Sequence, residues 1–402
     1  QRQMCIRDSL MSESVRGEGG RVWVPRDPQD PRPGREIPED ERWYVCEELD
    51  PVYGNLLSRD IVSFINYCVC RMGKGIRGQE QVYLDITHLH TKEGMSREQI
   101  WDKLGGVLEI YEKYMREDPI DNPLRIYPAV HYTMGGLWVD YEVGHEETLD
   151  TQSARNQSTN IPGLYAAGEC EYQYHGANRL GANALLTCLT GGEITALGVQ
   201  AYLRDMTESS DSLSSAVLDD HTTAETSRYQ GYAQANGDEN PYRLAQELQD
   251  TMWNNCGIWR LQTDLVKAQE KLSELSQRIG ECNLLDSEGW ANQAVPYTRG
   301  VHHMIEMSKA IVGGAIVRDE SRGAHFKLDT PDRSDDNWLR TTRATWTAAG
   351  PEFDTEEEID CRYMEPRARK YKVNQNMIVR KIMGEDFFEK QGLTEGSAGE
   401  SE

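Results

Sequence analysis

No run of about 18 consecutive apolar residues, the minimum for a bilayer-spanning helix, occurs in the chain, so none of its own segments crosses a membrane as a helix. A charged and then apolar N-terminal segment of the secretory kind is also missing. The nine cysteines are scattered, Cys68 and Cys70 being the nearest two. Without a Cys-x-x-Cys pair they build neither a zinc site nor an iron-sulfur cluster, and they suit reduced, cytosolic-side thiols. A strand, a Gly-x-Gly-x-x-Gly turn and a helix in succession hold a dinucleotide pyrophosphate; no such unit is read here. Gly17-Glu18-Gly19-Gly20 and Gly105-Gly106 have the wrong spacing. Basic residues are in deficit: 43 Lys and Arg against 67 Asp and Glu give a net charge of −24, which repels nucleic acid and anionic lipid surfaces.

A length of 402 residues calls for two or three packed regions. The most informative stretch runs from Val130 to Leu186. It opens Val130-His131-Tyr132-Thr133-Met134-Gly135-Gly136, continues through Ile161-Pro162-Gly163-Leu164-Tyr165-Ala166-Ala167-Gly168-Glu169, and closes His175-Gly176-Ala177-Asn178-Arg179-Leu180-Gly181-Ala182-Asn183-Ala184-Leu185-Leu186. Short apolar runs punctuated by glycine read as strand ends and tight turns where backbone approaches a flat ligand. His131 and Arg179 suit a small dicarboxylate; taken singly, Arg179 better suits a pair with a buried carboxylate and His131 a turn cap, a reading that three such segments in order weaken. In so acidic a chain, an arginine beside glycine turns carries added weight.

These three segments, in this order, closely resemble the flavoprotein subunit of succinate dehydrogenase and fumarate reductase. The resemblance extends to Leu10-Met11-Ser12-Glu13-Ser14-Val15-Arg16-Gly17-Glu18-Gly19-Gly20, to Arg59-Asp60-Ile61-Val62, and to Glu320-Ser321-Arg322-Gly323-Ala324-His325. It implies FAD as cofactor and hydride transfer between succinate and flavin N5. Ser12, His131 and Arg179 would hold the substrate carboxylates. Arg59 would give or take the second proton, relayed by Glu13 and Arg16; an arginine, with a pKa above about 12, works as an acid only when its proton is replaced through such a relay. Glu169 would meet the cofactor ribose, and Ala184 and Leu185 the flavin ring. Without the resemblance, Glu13 with Arg16 is a surface ion pair of small worth, Arg59 a capping-turn residue, and Glu169 a turn residue.

The rest of the chain divides by composition. Residues 1–9 resemble translated adaptor sequence and are set aside as a non-native leader. Residues 10–126 read as a partial capping domain with a short strand at Val22–Val24, a Pro- and Asp-rich exposed loop over 26–43, and a helix starting after Ser58. A strand spans Val82–Ile86, His88 and His90 lie in a surface turn, and Ile100, Leu104, Val107, Leu108, Tyr111 and Met115 mark a helix. Residues 127–206 read as the C-terminal part of an FAD-binding domain ending in a helix from Asn183 to Leu203. A linker or loosely packed region follows over 207–240. A helical domain over 241–372 has Leu261, Leu265, Ala268, Leu272, Leu275 and Ile279 on one face, with Arg322 and His325 in an interdomain polar cluster. Residues 373–402 read as a tail. The fold class expected is therefore α+β / α/β multidomain.

The resemblance runs from Leu10 to about Tyr371 and implies a C-terminal fragment. The family's glycine-rich nucleotide turn, flavin-linked histidine and first substrate histidine would lie upstream. It further implies an iron-sulfur partner that takes the electrons, and a membrane-anchor subunit that brings the chain to the cytoplasmic face of the cell membrane. Two alternatives stand beside this reading: an L-aspartate oxidase-like flavoenzyme, and a flavin-free, inactive binding or assembly piece. No metal ligand is assigned.

Overall fold

The computed structural model describes residues 14–391 apart from 146, 182, 285, 287, 289, 362, 363, 368–373 and 385, together with residue 393. Ser12, Glu13 and the leader over 1–9 lie outside the described residues. The chain forms two compact units, Gln1–His131 with Tyr363–Ala398, and Tyr132–Arg362 with Gly399–Glu402.

The first unit is built on a four-stranded antiparallel sheet of order β2-β1-β3-β4. Its strands are β1 (Arg21–Pro25), β2 (Arg42–Trp43), β3 (Val82–Asp85) and β4 (Leu124–Ile126). Val22 pairs with Leu84, and Val82 with Ile126. Every residue of β3 is buried, so this strand reads as a continuous apolar run rather than an alternation. Helix α1 (Arg59–Arg71) packs Ile61, Val62, Phe64, Ile65, Tyr67 and Cys68 inward. Ser58 takes the N-cap position, but its hydroxyl makes no capping bond. Helix α2 (Arg97–Met115) does have a capping box, Ser96 with Gln99, and buries Ile100, Leu104, Leu108 and Tyr111.

The 26–43 segment is not the unstructured loop its composition suggests. Ile37, 1% exposed, joins Trp23, Ile76 and Tyr83 in a core cluster, and Arg42 bonds the buried Asp85 at 2.9 Å. An apolar anchor, the pairing of its end with β1 and ion pairs that include Glu39 with Arg21 and Lys92 hold a stretch whose prolines and aspartates hide them. His88 and His90 fall in a short helix, Thr87–Thr91, and His90 Nδ1–H donates to the Met95 carbonyl at 2.8 Å. Among the described residues there is no cluster of three metal-ligating side chains.

A Gly-x-Gly-x-x-Gly spelling missed in the sequence reading lies at Gly73-Lys74-Gly75-Ile76-Arg77-Gly78. It follows α1 and precedes β3, the reverse of the nucleotide-binding order. Its amides are spent locally, Gly73 on Cys70, Lys74 on Val69, Ile76 on Gln81 and Gly78 on Gly75. It is a structural turn.

In the second unit the glycine-rich stretch of 132–181 forms no regular strand, only isolated bridges such as Leu137 with Glu171 and Ser158 with Tyr165. A strand needs a paired neighbour, and the described residues supply none. Helix α3 (Asn183–Asp205) follows. Helix α4 (Ser215–Ala233) then occupies most of the segment read as linker. Its Ser-, Thr- and Asp-rich sequence has no apolar stripe and none of its residues is buried. Tyr232 and Ala233 at its C-terminal end pack on the core of the helices that follow, and polar contacts add to this, with the Tyr232 hydroxyl donating to His302 Nδ1 at 2.7 Å and Glu225 paired with Arg299.

Helices α5 (Pro241–Asn255), α6 (Gln262–Arg278) and α7 (Ala294–Val317) share a core of Leu244, Leu248, Leu265, Leu272, Leu275, Val301, Ile305 and Val312. The region is not purely helical: β5 (Arg340–Thr347) and β6 (Gly350–Glu358) form an antiparallel hairpin. Its Phe353 ring lies where a Cβ on Gly313 of α7 would stand, 2.3 Å away. Overpacking of this kind costs about 1–3 kcal/mol. Gly313→Val is therefore expected to lower the unfolding free energy from urea titration by that amount, and an unchanged value would show that the hairpin is not seated on α7.

The segment read as a tail also contains structure. Helix α8 (Gln375–Met383) buries Ile378, Val379 and Ile382 and returns to the first unit. No described helix is long and apolar enough to cross a membrane.

Candidate functional site

The candidate residues are divided between the two units: Arg16, Arg59 and His131 in the first, Glu169, Arg179, Ala184 and Leu185 in the second. In the first unit, the half-buried Arg59 opens α1. The turn before it is locked from three sides. Arg16 Nη1 donates to the carbonyls of Asn55 and Leu57 at 2.5 and 2.9 Å. The Val22 amide donates to Asn55 Oδ1 at 2.6 Å, and Asn55 Nδ2 donates to Glu47 at 2.5 Å. Glu47 also accepts from Arg21 at 3.2 Å. One nitrogen of Arg16 thus positions the backbone that presents Arg59. Asn55 and Glu47 were not singled out in the sequence, because their partners come from β1 and distant loops. His131 is exposed at the end of this unit.

In the second unit, Arg179 is 7% exposed. Its guanidinium sits 4.8 Å from the centre of the Tyr132 ring, a cation–π distance, and Nη1 donates to Leu180 O at 3.2 Å. Two hydroxyls, of Tyr132 and Thr187, converge on His175 Nε2 at 3.0 and 3.2 Å. Burial, and then the Arg179 charge, lowers the His175 pKa, so this imidazole is neutral at pH 7. Tyr132 and His175 lie inside quoted motifs and could have been named from them; Thr187, one turn into α3, could not. Glu169 follows Gly168, whose φ of +77° is a glycine conformation, and its Oε1 accepts the Thr133 amide at 3.0 Å. The carbonyl of Ala177, two residues before Arg179, accepts the Ala324 amide at 2.9 Å. A Cβ on Gly323 would stand 2.3 Å from that same carbonyl. The Arg322–His325 segment therefore packs on the Arg179 loop.

Ala184 and Leu185 lie in the first turn of α3, with Leu185 76% exposed and Leu189, one turn on, 74% exposed. A helix N-terminus beside exposed apolar side chains suits an aromatic ring carrying a polarised oxygen. The exposed Glu169 carboxylate suits a hydroxyl donor. Positions at Gly135 and Gly176 where a Cβ would meet nothing within 4 Å leave the turns open. These residues fit the ring and ribose end of a flavin nucleotide; among the described residues no glycine turn fits its pyrophosphate.

Residues 1–185 match a family model described as FAD binding domain, and residues 245–371 one described as fumarate reductase flavoprotein C-term. The succinate dehydrogenase flavoprotein subunit of Bacillus subtilis (strain 168) is 41% identical over 365 residues, which cover 90% of this chain and 57% of that protein. The chain belongs to the succinate dehydrogenase and fumarate reductase flavoprotein family. The fumarate reductase flavoprotein subunit of Haemophilus influenzae is 31% identical over 349 residues, 85% of this chain and 53% of that one. A solved structure of E. coli quinol fumarate reductase superimposes with a TM-score of 0.70 at 28% identity, over 89% of this chain and 57% of that chain. This family member thus has the mixed helix-and-sheet flavoprotein fold with a helical C-terminal region, and it spans about half the length of the curated relatives it matches.

Proposed function

We propose that the chain acts within a flavoprotein oxidoreductase that interconverts succinate and fumarate, with FAD as its cofactor. The observation that carries this reading is the buried Arg179 beside Tyr132 and His175, in a chain 41% identical to a succinate dehydrogenase flavoprotein subunit. A fixed guanidinium in a partly dry site orients a carboxylate and stabilises the charge it gains as the reaction proceeds. His131 and Ser12 hold the remaining carboxylate oxygens. Arg59 exchanges the proton at the substrate carbon, and Arg16 and Glu13 restore it.

Glu169 would hold the ribose, and the α3 turn at Ala184 and Leu185 the ring. FAD, when bound, supplies the hydride chemistry that no side chain here can. An iron-sulfur partner would take up the electrons, and a membrane-anchor subunit would hold the assembly at the cytoplasmic face of the membrane. Support for the partners is that the matched relatives include a quinol fumarate reductase.

The test is to isolate the tagged chain from its host. Flavin absorbance, a co-purifying iron-sulfur protein and succinate-dependent dye reduction are expected. A colourless preparation without flavin would overturn the reading, and oxidation of L-aspartate but not succinate would replace it.

A further inference from the structure

Glu356, on β6, belongs to none of the motif segments. Its Oε1 accepts the Trp138 indole N–H at 2.7 Å, and its Oε2 accepts the Tyr172 hydroxyl at 3.5 Å. Those two aromatic residues end the two glycine segments: Trp138 follows Gly135-Gly136, and Tyr172 follows Gly168-Glu169. The segments are laced together elsewhere by the Thr133 amide on Glu169 at 3.0 Å and the Leu137 amide on the Cys170 carbonyl at 2.7 Å. A Cβ on Gly136 would stand 2.4 Å from that carbonyl, so the backbones run in direct contact.

An indole N–H can only donate and an ionised carboxylate can only accept, so Trp138 and Glu356 are complementary and their bond is charge-assisted. Burial, and then the Glu356 charge, pushes the Tyr172 hydroxyl up to about 12, which keeps it a donor. Glu356 is itself held from behind, because Phe353, three residues earlier on β6, is seated on Gly313 of α7.

We infer that Glu356 is a positioning residue, a clamp from the C-terminal hairpin that sets the spacing of the two glycine segments carrying Thr133 and Glu169. Its consequence for cofactor binding rests on the flavin reading proposed above; its consequence for the segments rests on the contacts alone. The experiment has one arm for each. In the 402-residue chain, amide exchange is followed at Leu137 and Glu171, whose amides are bonded to Cys170 and Gly168, with α6 as the reference for global unfolding. Losing a hydrogen bond to a charged acceptor is expected to speed exchange at the two segments about tenfold in Glu356→Ala. Glu356→Gln, which keeps an acceptor oxygen, is expected to stay within about threefold of the parent.

Titration with FAD forms the second arm, in which Glu356→Ala weakens binding about tenfold and Glu356→Gln restores most of it. If the parent chain takes up no FAD, the flavin reading fails while the exchange arm still decides the clamp. Unchanged exchange in Glu356→Ala, or equal acceleration in Glu356→Gln, overturns the inference. If Glu356→Ala also exchanges quickly in α6, Trp138→Phe removes the donor alone. Segment-selective acceleration there supports the clamp, and parental exchange refutes it.

Discussion

Arg59→Ala in the isolated assembly is expected to lower kcat for succinate oxidation by about 10²–10⁴-fold, the usual contribution of a positioned acid or base. The KM should move only a few-fold, because a proton donor acts mainly in the transition state. The structure gives this expectation a second arm. Arg16 Nη1 holds the Asn55 and Leu57 carbonyls that set the start of α1, so Arg16→Ala is expected to disturb both the proposed relay and the position of Arg59. Arg16→Lys keeps a charge and a donor but loses the planar fork, and an intermediate kcat is expected. Steady-state kinetics with a dye acceptor checks all three. A kcat for Arg59→Ala within tenfold of the parent would remove Arg59 from the proton-transfer role.

A large stability effect is expected on acidification, and it centres on His325. Arg260 Nη1 donates to its Nδ1 at 2.6 Å, and its Nε2–H donates to the Arg318 carbonyl at 3.2 Å. A second proton would have to enter at Nδ1, facing a guanidinium. Burial first, and then Arg260, pushes its pKa down to about 3. In the unfolded chain a histidine titrates near about 6.5, so between these two values the unfolded state binds a proton that the folded state refuses.

Stability is complete above about pH 6.5 and falls as the pH drops toward 3, with a limiting slope of about 1.4 kcal/mol per pH unit. Between pH 7.5 and 5.5 the parent is expected to lose about 1.4 kcal/mol that His325→Gln does not lose. Most carboxylates remain ionised over that window. Urea unfolding of both proteins at both pH values provides the check, and parallel losses would show that His325 is not held neutral.

The motif segments were legible because they are short and contiguous. The spacing of Leu265, Ala268, Leu272 and Leu275 gave a helix face that is buried in α6, and Asn183 stands where α3 starts. What could not be read depends on partners far along the chain or on a few anchors in polar text. Ile37 is one apolar residue among prolines and acids, yet it fixes the 26–43 segment. The α4 helix has no stripe to betray it. The hairpin did leave a signal in Thr345-Trp346-Thr347 and Glu352-Phe353-Asp354 on either side of a glycine turn, but the surrounding helical periodicity overshadowed it. Of the candidate site residues, those in motifs could be named, while Asn55, Thr187 and Glu356 could not, since each matters through what it touches.

The Trp138–Glu356 bond joins residues 218 positions apart, and the Ala324 amide on Ala177 closes a shorter but still long loop. Contacts of such separation form late, since the closure entropy is met before the contact repays it. During synthesis from the N-terminus, the glycine segments leave the ribosome well before the hairpin that ties them. Their own contacts can form early, but the Glu356 contact has to wait until β6 has emerged.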